Sequence, residues 1–346
     1  MHCQSVMEEI HQDPTAKVTV HEVARAAGVS ASTVSRVLNG TARVSESKRA
    51  TVEATLARMN YSPNLLAQGL KKGRATTIGI VVQHVYSPFF GELLRGVEGE
   101  LSGTDYASVV VSGHWDVKDE LKSLNLLLAR QVDGIIILSG CLSDEEIFAI
   151  AAHRCVVATG RNLNGKNVFG FALDNEYGAH QATAHLIELG HRRIVFVAGP
   201  KNQCDANDRL LGYQRALREA GIKFDKHLVL DGDFNENSGV LAVNLLLESR
   251  QNFTAVFSTN DQMAYGVRLG LFRRGIRVPD DISLVGFDDL PGSSFTTPPL
   301  TTVRQPMYDV GRLAANALIR LINGEQISVN PPKLQLIIRE TTRRVG

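Results

Sequence analysis

Val18-Thr-Val-His-Glu-Val-Ala-Arg-Ala-Ala-Gly-Val-Ser-Ala-Ser-Thr-Val-Ser-Arg-Val-Leu-Asn39 reads as two short helices joined by a glycine turn. Thr19 and Glu22 make a Thr-x-x-Glu capping box at the start of the first helix. Val20, Val23 and Ala24 fall at i, i+3 and i+4 and give it one apolar face. Gly28 supplies the turn, where a left-handed backbone costs least without a Cβ. Ser30 is placed to cap the second helix. Val34 and Val37 then face inward and leave Ala31, Ser32, Ser35 and Arg36 outward. Small side chains let a helix backbone approach base edges, and Arg36 carries the fork that reads a guanine. Thr19, Ser30, Thr33, Ser35 and Asn39 offer hydroxyl or amide groups for phosphate oxygens. Each feature alone fits a generic amphipathic helix pair. The ordered set predicts a helix-turn-helix that enters a DNA major groove.

Ser45 is placed to cap a third helix, Glu46 to Asn60. Ser62 and Pro63 open a shorter one that contains Gly69 and runs into Leu70-Lys71-Lys72-Gly73. Helices below ~12–15 residues are marginal alone in water, which suits a linker that melts. Leu70 beside two lysines has the form of an apolar wedge for the minor groove. Packing inside the linker would use the same leucine equally well.

At this point the chain resembles the lactose/galactose repressor family, from Val18 to Arg344. The residues that carry the resemblance are Val18-Thr19, then Val23-Ala24, Ala27-Gly28-Val29-Ser30 and Thr33-Val34-Ser35-Arg36-Val37-Leu38-Asn39. Asn60-Tyr61-Ser62-Pro63-Asn64 completes the set. The resemblance implies a homodimer on a palindromic double-stranded operator, with Ala31, Ser32 and Arg36 facing bases. It also implies that Leu70 opens the minor groove at the operator centre, and that Arg43 and Ser45 contact the DNA backbone. His21 stands where a tyrosine is common.

Charge follows the same division. The chain has 346 residues and a formal net charge of +1. Residues 17–75 hold ten Lys/Arg against three Glu, while residues 1–16 hold three acidic residues and no Lys or Arg. The basic charge sits where DNA would lie. The four cysteines, Cys3, Cys141, Cys155 and Cys204, have no paired or metal-like spacing and read as reduced thiols of a cytoplasmic protein. No apolar run is long enough to span a membrane. Residues 1–16 have no apolar core and so do not read as a signal peptide. They read as a disordered extension, or as a segment preceding a start at Met7.

From Ile78 onward, apolar runs alternate with helical patterns. The runs are Ile78–Val82, Ser108–Ser112, Gly134–Leu138 and Val156–Thr159. After Asp174 they recur as Ile194–Ala198, Leu228–Leu230, Ala255–Thr259 and Ser283–Phe287. The alternation predicts an α/β core of two parallel-sheet lobes with a cleft between them. The resemblance implies a periplasmic-binding-protein-like core that crosses between lobes three times. On that reading residues 17–61 are the DNA-binding module, 62–75 the hinge and 76–346 the effector-binding and dimerisation core. The first lobe takes about 76–175 and 304–334. The second takes about 176–303 and 335–346, including a last strand, Leu336–Glu340.

Enzymes on similar sheets carry phosphate loops or nucleophile elbows, and neither pattern occurs here. His180 and His185 lie five apart, off the i,i+4 spacing of a zinc pair, and read as ordinary helix residues. No catalytic residue, metal site or cofactor is expected. The strand ends carry polar and aromatic groups instead, suited to sugar hydroxyls and the apolar face of a pyranose. Taken singly, Asp205, Asp208, Asp261 and Asp289 could be helix caps, Arg209 an ion-pair partner, and Phe89 and Phe234 core. By position, the resemblance makes Phe89, Phe90, Asp205, Arg209, Phe234, Asn260 and Asp288 effector contacts. Gln203 stands where purine-binding relatives carry an arginine, and Asp205 would repel a phosphorylated sugar. The expected effector is a small free sugar, and the expected role repression of carbohydrate-use genes. An activator or corepressor-dependent regulator is the alternative on the same fold, and a solute-binding protein a weaker one. No leucine heptad follows the last strand, so a dimer is expected rather than a coiled-coil tetramer.

Overall fold

The computed structural model describes residues 18–39, 44–61 and 75–345. The chain divides into two units at residues 73/74, taken separately below.

In the first unit, α1 is Val20–Ala26, α2 Ala31–Asn39 and α3 Glu46–Arg58. The capping box forms: Thr19 N–H donates to Glu22 Oε2 at 2.7 Å, and Glu22 N–H donates to Thr19 Oγ1 at 3.3 Å. Gly28 takes φ +66° between α1 and α2. Ser30 Oγ accepts from Thr33 N–H at 3.2 Å. Val23, Ala24, Val34 and Val52 are buried together, with Val37 and Leu38 packed against them. Ser45 precedes α3, but its side chain makes no capping hydrogen bond. The helix also ends at Arg58 rather than Asn60, because Asn60 turns left-handed at φ +46° and stops it.

The second unit holds two six-stranded sheets. The first contains β1 (Thr77–Val82), β2 (Ala107–Ser112), β3 (Gly134–Leu138), β4 (Cys155–Thr159), β5 (Leu163–Gly165) and β6 (Val168–Phe171) in the order β2-β1-β3-β4-β6-β5. The second contains β7 (Ile194–Val197), β8 (Val229–Leu230), β9 (Ala255–Ser258), β10 (Ser283–Asp288), β11 (Thr301–Arg304) and β12 (Gln335–Ile337) in the order β12-β11-β10-β9-β7-β8. Each sheet is parallel apart from one edge strand, β5 or β12. Helices cover both faces, so a central strand such as β3 is buried along its whole length.

Three helices follow strands of the first sheet: α4 (Pro88–Leu101), α5 (Val117–Ala129) and α6 (Asp144–Ala151). Four belong to the second: α7 (Asn175–Glu188), α8 (Cys204–Glu219), α9 (Glu236–Glu248) and α10 (Asp261–Arg273). The last helix, α11 (Met307–Ile322), returns to the first sheet and lies along α4. Glycine makes that approach possible: a Cβ on Gly96 would sit 2.0 Å from the Tyr308 carbonyl oxygen, and one on Gly311 2.0 Å from that of Leu93.

Three elements depart from the sequence reading. The β5–β6 hairpin, rich in Asn and Gly, lies in a stretch to which the sequence reading assigns no strand. β11 is parallel to β10, so Arg304 ends a strand of the second lobe. The last strand stops at Ile337 instead of Glu340, because the backbone then turns to side-chain and loop partners: Arg339 N–H donates to Thr301 Oγ1 and Glu340 N–H to the Pro299 carbonyl.

Two buried histidines pin the carboxyl-terminal segment. His185 Nε2 lies 3.0 Å from Thr342 Oγ1, and His191 bridges Thr254 Oγ1, Ser283 Oγ and the Arg343 carbonyl. Burial lowers the pKa of both below the ordinary 6.5. Their unfolded rings therefore bind protons at a pH where the folded rings do not. Stability is full above pH ~6.5 and is lost as the pH falls through that value toward the lowered folded ones. The second lobe should unfold at lower temperature at pH 5.5 than at pH 7.5, and His191→Gln should flatten that dependence in a calorimetric pH series.

Candidate functional site

On the first unit, Ser32 and Arg36 are exposed along α2. Ser30 Oγ lies 2.8 Å from both Ser32 Oγ and Thr33 Oγ1. These hydroxyls cluster at the amino end of α2, where the helix dipole favours an anion such as a DNA phosphate. Ala31 is half-buried against the module core, so it is less outward than its position suggests. Thr19 Oγ1 donates to Glu22 Oε2 at 2.9 Å, which commits that hydroxyl to the helix cap. Ser35 is half-buried, Ser45 is exposed, and Asn39 is the last residue of α2. Arg43 and Leu70, with the expected hinge, lie outside the described residues.

On the second unit, the carboxyl ends of both sheets face a cleft lined by Phe89, Trp115, Asp205, Arg209, Phe234 and Asp288 among others. Arg209 on α8 is buried at its floor. Its Nε donates to Asn175 Oδ1 at 2.8 Å, its Nη1 donates to the Thr259 carbonyl, and its guanidinium lies 3.9 Å over the Phe287 ring. Asp288 ends β10 with φ +116°, a strained conformation for a residue with a Cβ. Its Oδ1 accepts from Gln305 Nε2 at 2.6 Å and lies 3.8 Å from Arg209 Nη1. Burial outweighs the pull of Arg209 and pushes the Asp288 carboxyl up to about 8. Asp205 is half-buried and accepts from Asn175 Nδ2 at 3.0 Å; burial raises its pKa as well.

The aromatic wall starts from Phe89 and Phe90, in edge contact at 5.2 Å. Trp115 stands 6.2 Å from Phe90 on one side and 6.2 Å from Phe234 of the other lobe. Phe90 is only 3% exposed and packs in the first-lobe core, so it backs the wall and leaves the surface to Phe89. Asn260 lines the cleft, yet much of its amide is engaged. Its Oδ1 caps α10 by accepting from Met263 N–H, and its Nδ2 donates to the Phe234 carbonyl, which holds Phe234 at φ +68°.

Asp205, Asp208, Asp261 and Asp289 are not the caps of these helices. Asp261 accepts from Thr302, Ser293 and the Leu290 N–H, and Asp289 pairs with Arg304 and Arg339. They fasten the loops after β10 and the turn out of β11. Sequence reasoning missed Trp115, Asn175 and Gln305. Trp115 is the chain's single tryptophan and stands just past a strand end, which is the signal that could have found it.

Comparison with known proteins places both units. Residues 19–64 match the family described as bacterial regulatory proteins, lacI family, and residues 183–342 match a periplasmic binding protein-like domain. Catabolite control protein A of Priestia megaterium is 35% identical over 330 residues, covering 94% of this chain and 99% of the relative. The chain belongs to the lacI family of bacterial regulatory proteins. The ribose operon repressor of Escherichia coli (strain K12) is 36% identical over 322 residues, covering 92% of this chain and 96% of that protein. Among solved structures, the lac repressor dimer bound to operator and the anti-inducer ONPF superposes with a TM-score of 0.85 at 30% identity. It covers 95% of this chain and 100% of its own. As a lacI-family member this chain is a DNA-binding transcriptional regulator with a helix-turn-helix module and a two-lobed α/β core. The lacI-family match reaches residue 64, beyond the last described residue of the module, Tyr61.

Proposed function

We propose that this regulator is a cytoplasmic repressor of carbohydrate-use genes, released from its operator by a small neutral sugar in the core cleft. The observation that carries the sugar reading is the cleft floor. Asp205, Asn175, Arg209, Asp288 and Gln305 form one hydrogen-bonded and ion-paired set, and aromatic rings stand beside it. Carboxylates and amides joined to one arginine match the mixed donors and acceptors of sugar hydroxyls, and the rings match a pyranose face. Asp205 and Asp233 beside the single cation Arg209 disfavour an anionic ligand. A relative that represses a ribose operon supports the same class.

The effector contacts in this reading are Phe89, Asp205, Arg209, Phe234, Asn260 and Asp288, with Phe90 backing Phe89 from the core. Ala31, Ser32 and Arg36 address bases. Ser30, Thr33, Ser35, Asn39, Arg43 and Ser45 address the DNA backbone, while the Thr19 hydroxyl serves the cap of α1. The bound sugar is a signal and leaves unchanged. Two chains bind one palindromic operator, joined by hinges at 62–75. Leu70→Ala should weaken operator binding at least tenfold and leave binding to random duplex unchanged; an equal loss on both DNAs would remove the wedge. The sugar reading is tested by thermal unfolding of the full chain with free sugars, sugar phosphates and purines. A ligand at 100 times its Kd adds about 2.7 kcal/mol of stability. A shift with a free sugar supports the reading, and one confined to phosphates or purines overturns it.

A further inference from the structure

We propose that Trp115 is the stacking platform for the effector, so that the apolar face of a sugar ring lies between Trp115 of the first lobe and Phe234 of the second. The inference rests on the sugar reading above and adds which face of the ligand is recognised, and by which ring.

Trp115 is held in place by a device that core packing does not require. His114 and Trp115 both take left-handed backbone, φ +55° and +57°. Two successive non-glycine residues stay there only when their surroundings dictate it. Gln83 does so, with its side chain fully buried. Its Oε1 accepts from Trp115 N–H at 2.8 Å, its Nε2 donates to the Ser139 carbonyl at 3.0 Å, and its own carbonyl accepts from His114 N–H at 3.1 Å. The Cys141 thiol donates to the Trp115 carbonyl at 3.3 Å, and Gln203 Nε2 from the opposite lobe lies 3.0 Å from that sulfur. The peptide on each side of the ring is therefore fixed, while the ring itself stays half-exposed on the cleft wall.

The rings of Trp115 and Phe234 are 6.2 Å apart and inclined by 44°, a wedge rather than a stacked pair. A sugar ring between two aromatic faces needs about 7 Å, twice the ~3.5 Å of a carbon contact. Entry of a ring must therefore move one face against the other. The two rings stand on different lobes, so a rotation of either side chain or a change in lobe angle supplies this movement.

The test uses the full-length protein, in which Trp115 is the sole tryptophan and so the sole indole emitter. D-ribose, D-glucose, D-galactose, lactose and cellobiose are titrated, with emission and unfolding temperature read together. A sugar that raises the unfolding temperature is expected to shift or quench Trp115 emission. Trp115→Ala is expected to weaken its binding at least tenfold, and Trp115→Phe to recover most of the loss, with circular dichroism verifying that each variant folds. A sugar that stabilises the protein but leaves emission unchanged, or binds Trp115→Ala as well as the parent, overturns the platform and leaves the sugar reading intact. If the emission response is present but Trp115→Ala does not fold, Trp115→Leu decides: retained affinity without an aromatic face overturns the platform, and a tenfold loss supports it. Stabilisation by none of the five sugars overturns both.

Discussion

Arg209→Ala should abolish the response to effector and cost the core about 2–6 kcal/mol, ~1–3 for each of the two buried acceptors, Asn175 Oδ1 and the Thr259 carbonyl, that it leaves without a donor. The guanidinium is 4% exposed and is held by Asn175, the Thr259 carbonyl, the Phe287 face and Asp288. In a urea titration followed by circular dichroism, the core transition should move by that amount. Operator bound by the variant should no longer be released by sugar. Asp288→Asn makes the contrast. Burial already pushes the Asp288 carboxyl up to about 8, so a neutral amide takes the place of a group that burial holds toward its neutral form. The amide should cost only about 1 kcal/mol, the scale of one net hydrogen bond. It should still disturb effector affinity, because the donor and acceptor pattern changes. Equal stability losses for the two variants would mean that Asp288 is ionised in the free protein and that the ion pair, rather than burial, governs this floor.

Arg36→Ala should weaken operator binding by about 1–3 kcal/mol for each module, the value of one bidentate guanine contact. A dimer presents two modules, so the loss on a palindrome doubles to roughly 2–6 kcal/mol, from tens-fold to more than a thousandfold in Kd. The side chain is exposed on α2, past the hydroxyl cluster of Ser30, Ser32 and Thr33 at the amino end of the helix, an end whose dipole favours an anion. A base-reading arginine and a phosphate-binding one differ in how the loss is distributed. Binding selection with randomised duplexes should show relaxed preference at one position in each half-site, with the remaining positions unchanged. A uniform loss across all sequences, with a smaller salt dependence, would assign Arg36 to the backbone instead.

The module was legible in the sequence because its determinants are local. Thr19 and Glu22 are three residues apart, Gly28 sits between its helices, and Val23, Val34 and Val52 bury one another over a short span. Even there, Ser45 shows the limit: a serine at the right position supplied no capping bond. The central strands were legible for a different reason. Burial on both faces leaves unbroken apolar runs such as Gly134–Leu138, and the two-lobed α/β core follows from their repetition. The cleft was legible only in part. Asn175 reaches Arg209 across 34 residues, and Gln305 reaches Asp288 across 17 residues from a separate strand end. Topology, not spacing, brings these groups together. Orientation was also hidden: neighbouring Phe89 and Phe90 share a sequence signal, but one faces the cleft and the other the core. Hydrogen-bond economy was hidden as well, since Asn260 divides its amide between capping α10 and holding Phe234.

The central claim is that cleft and operator are coupled in one molecule. The most direct measurement is a pair of titrations on the full-length protein, with a palindromic duplex recovered by selection and the sugar that stabilises the chain. Operator affinity is read by fluorescence anisotropy with and without saturating sugar, and sugar affinity by calorimetry with and without saturating operator. The account predicts that each ligand weakens the other by the same factor, as linkage requires. Sugar binding that leaves operator affinity unchanged, or that strengthens it, would contradict release by sugar.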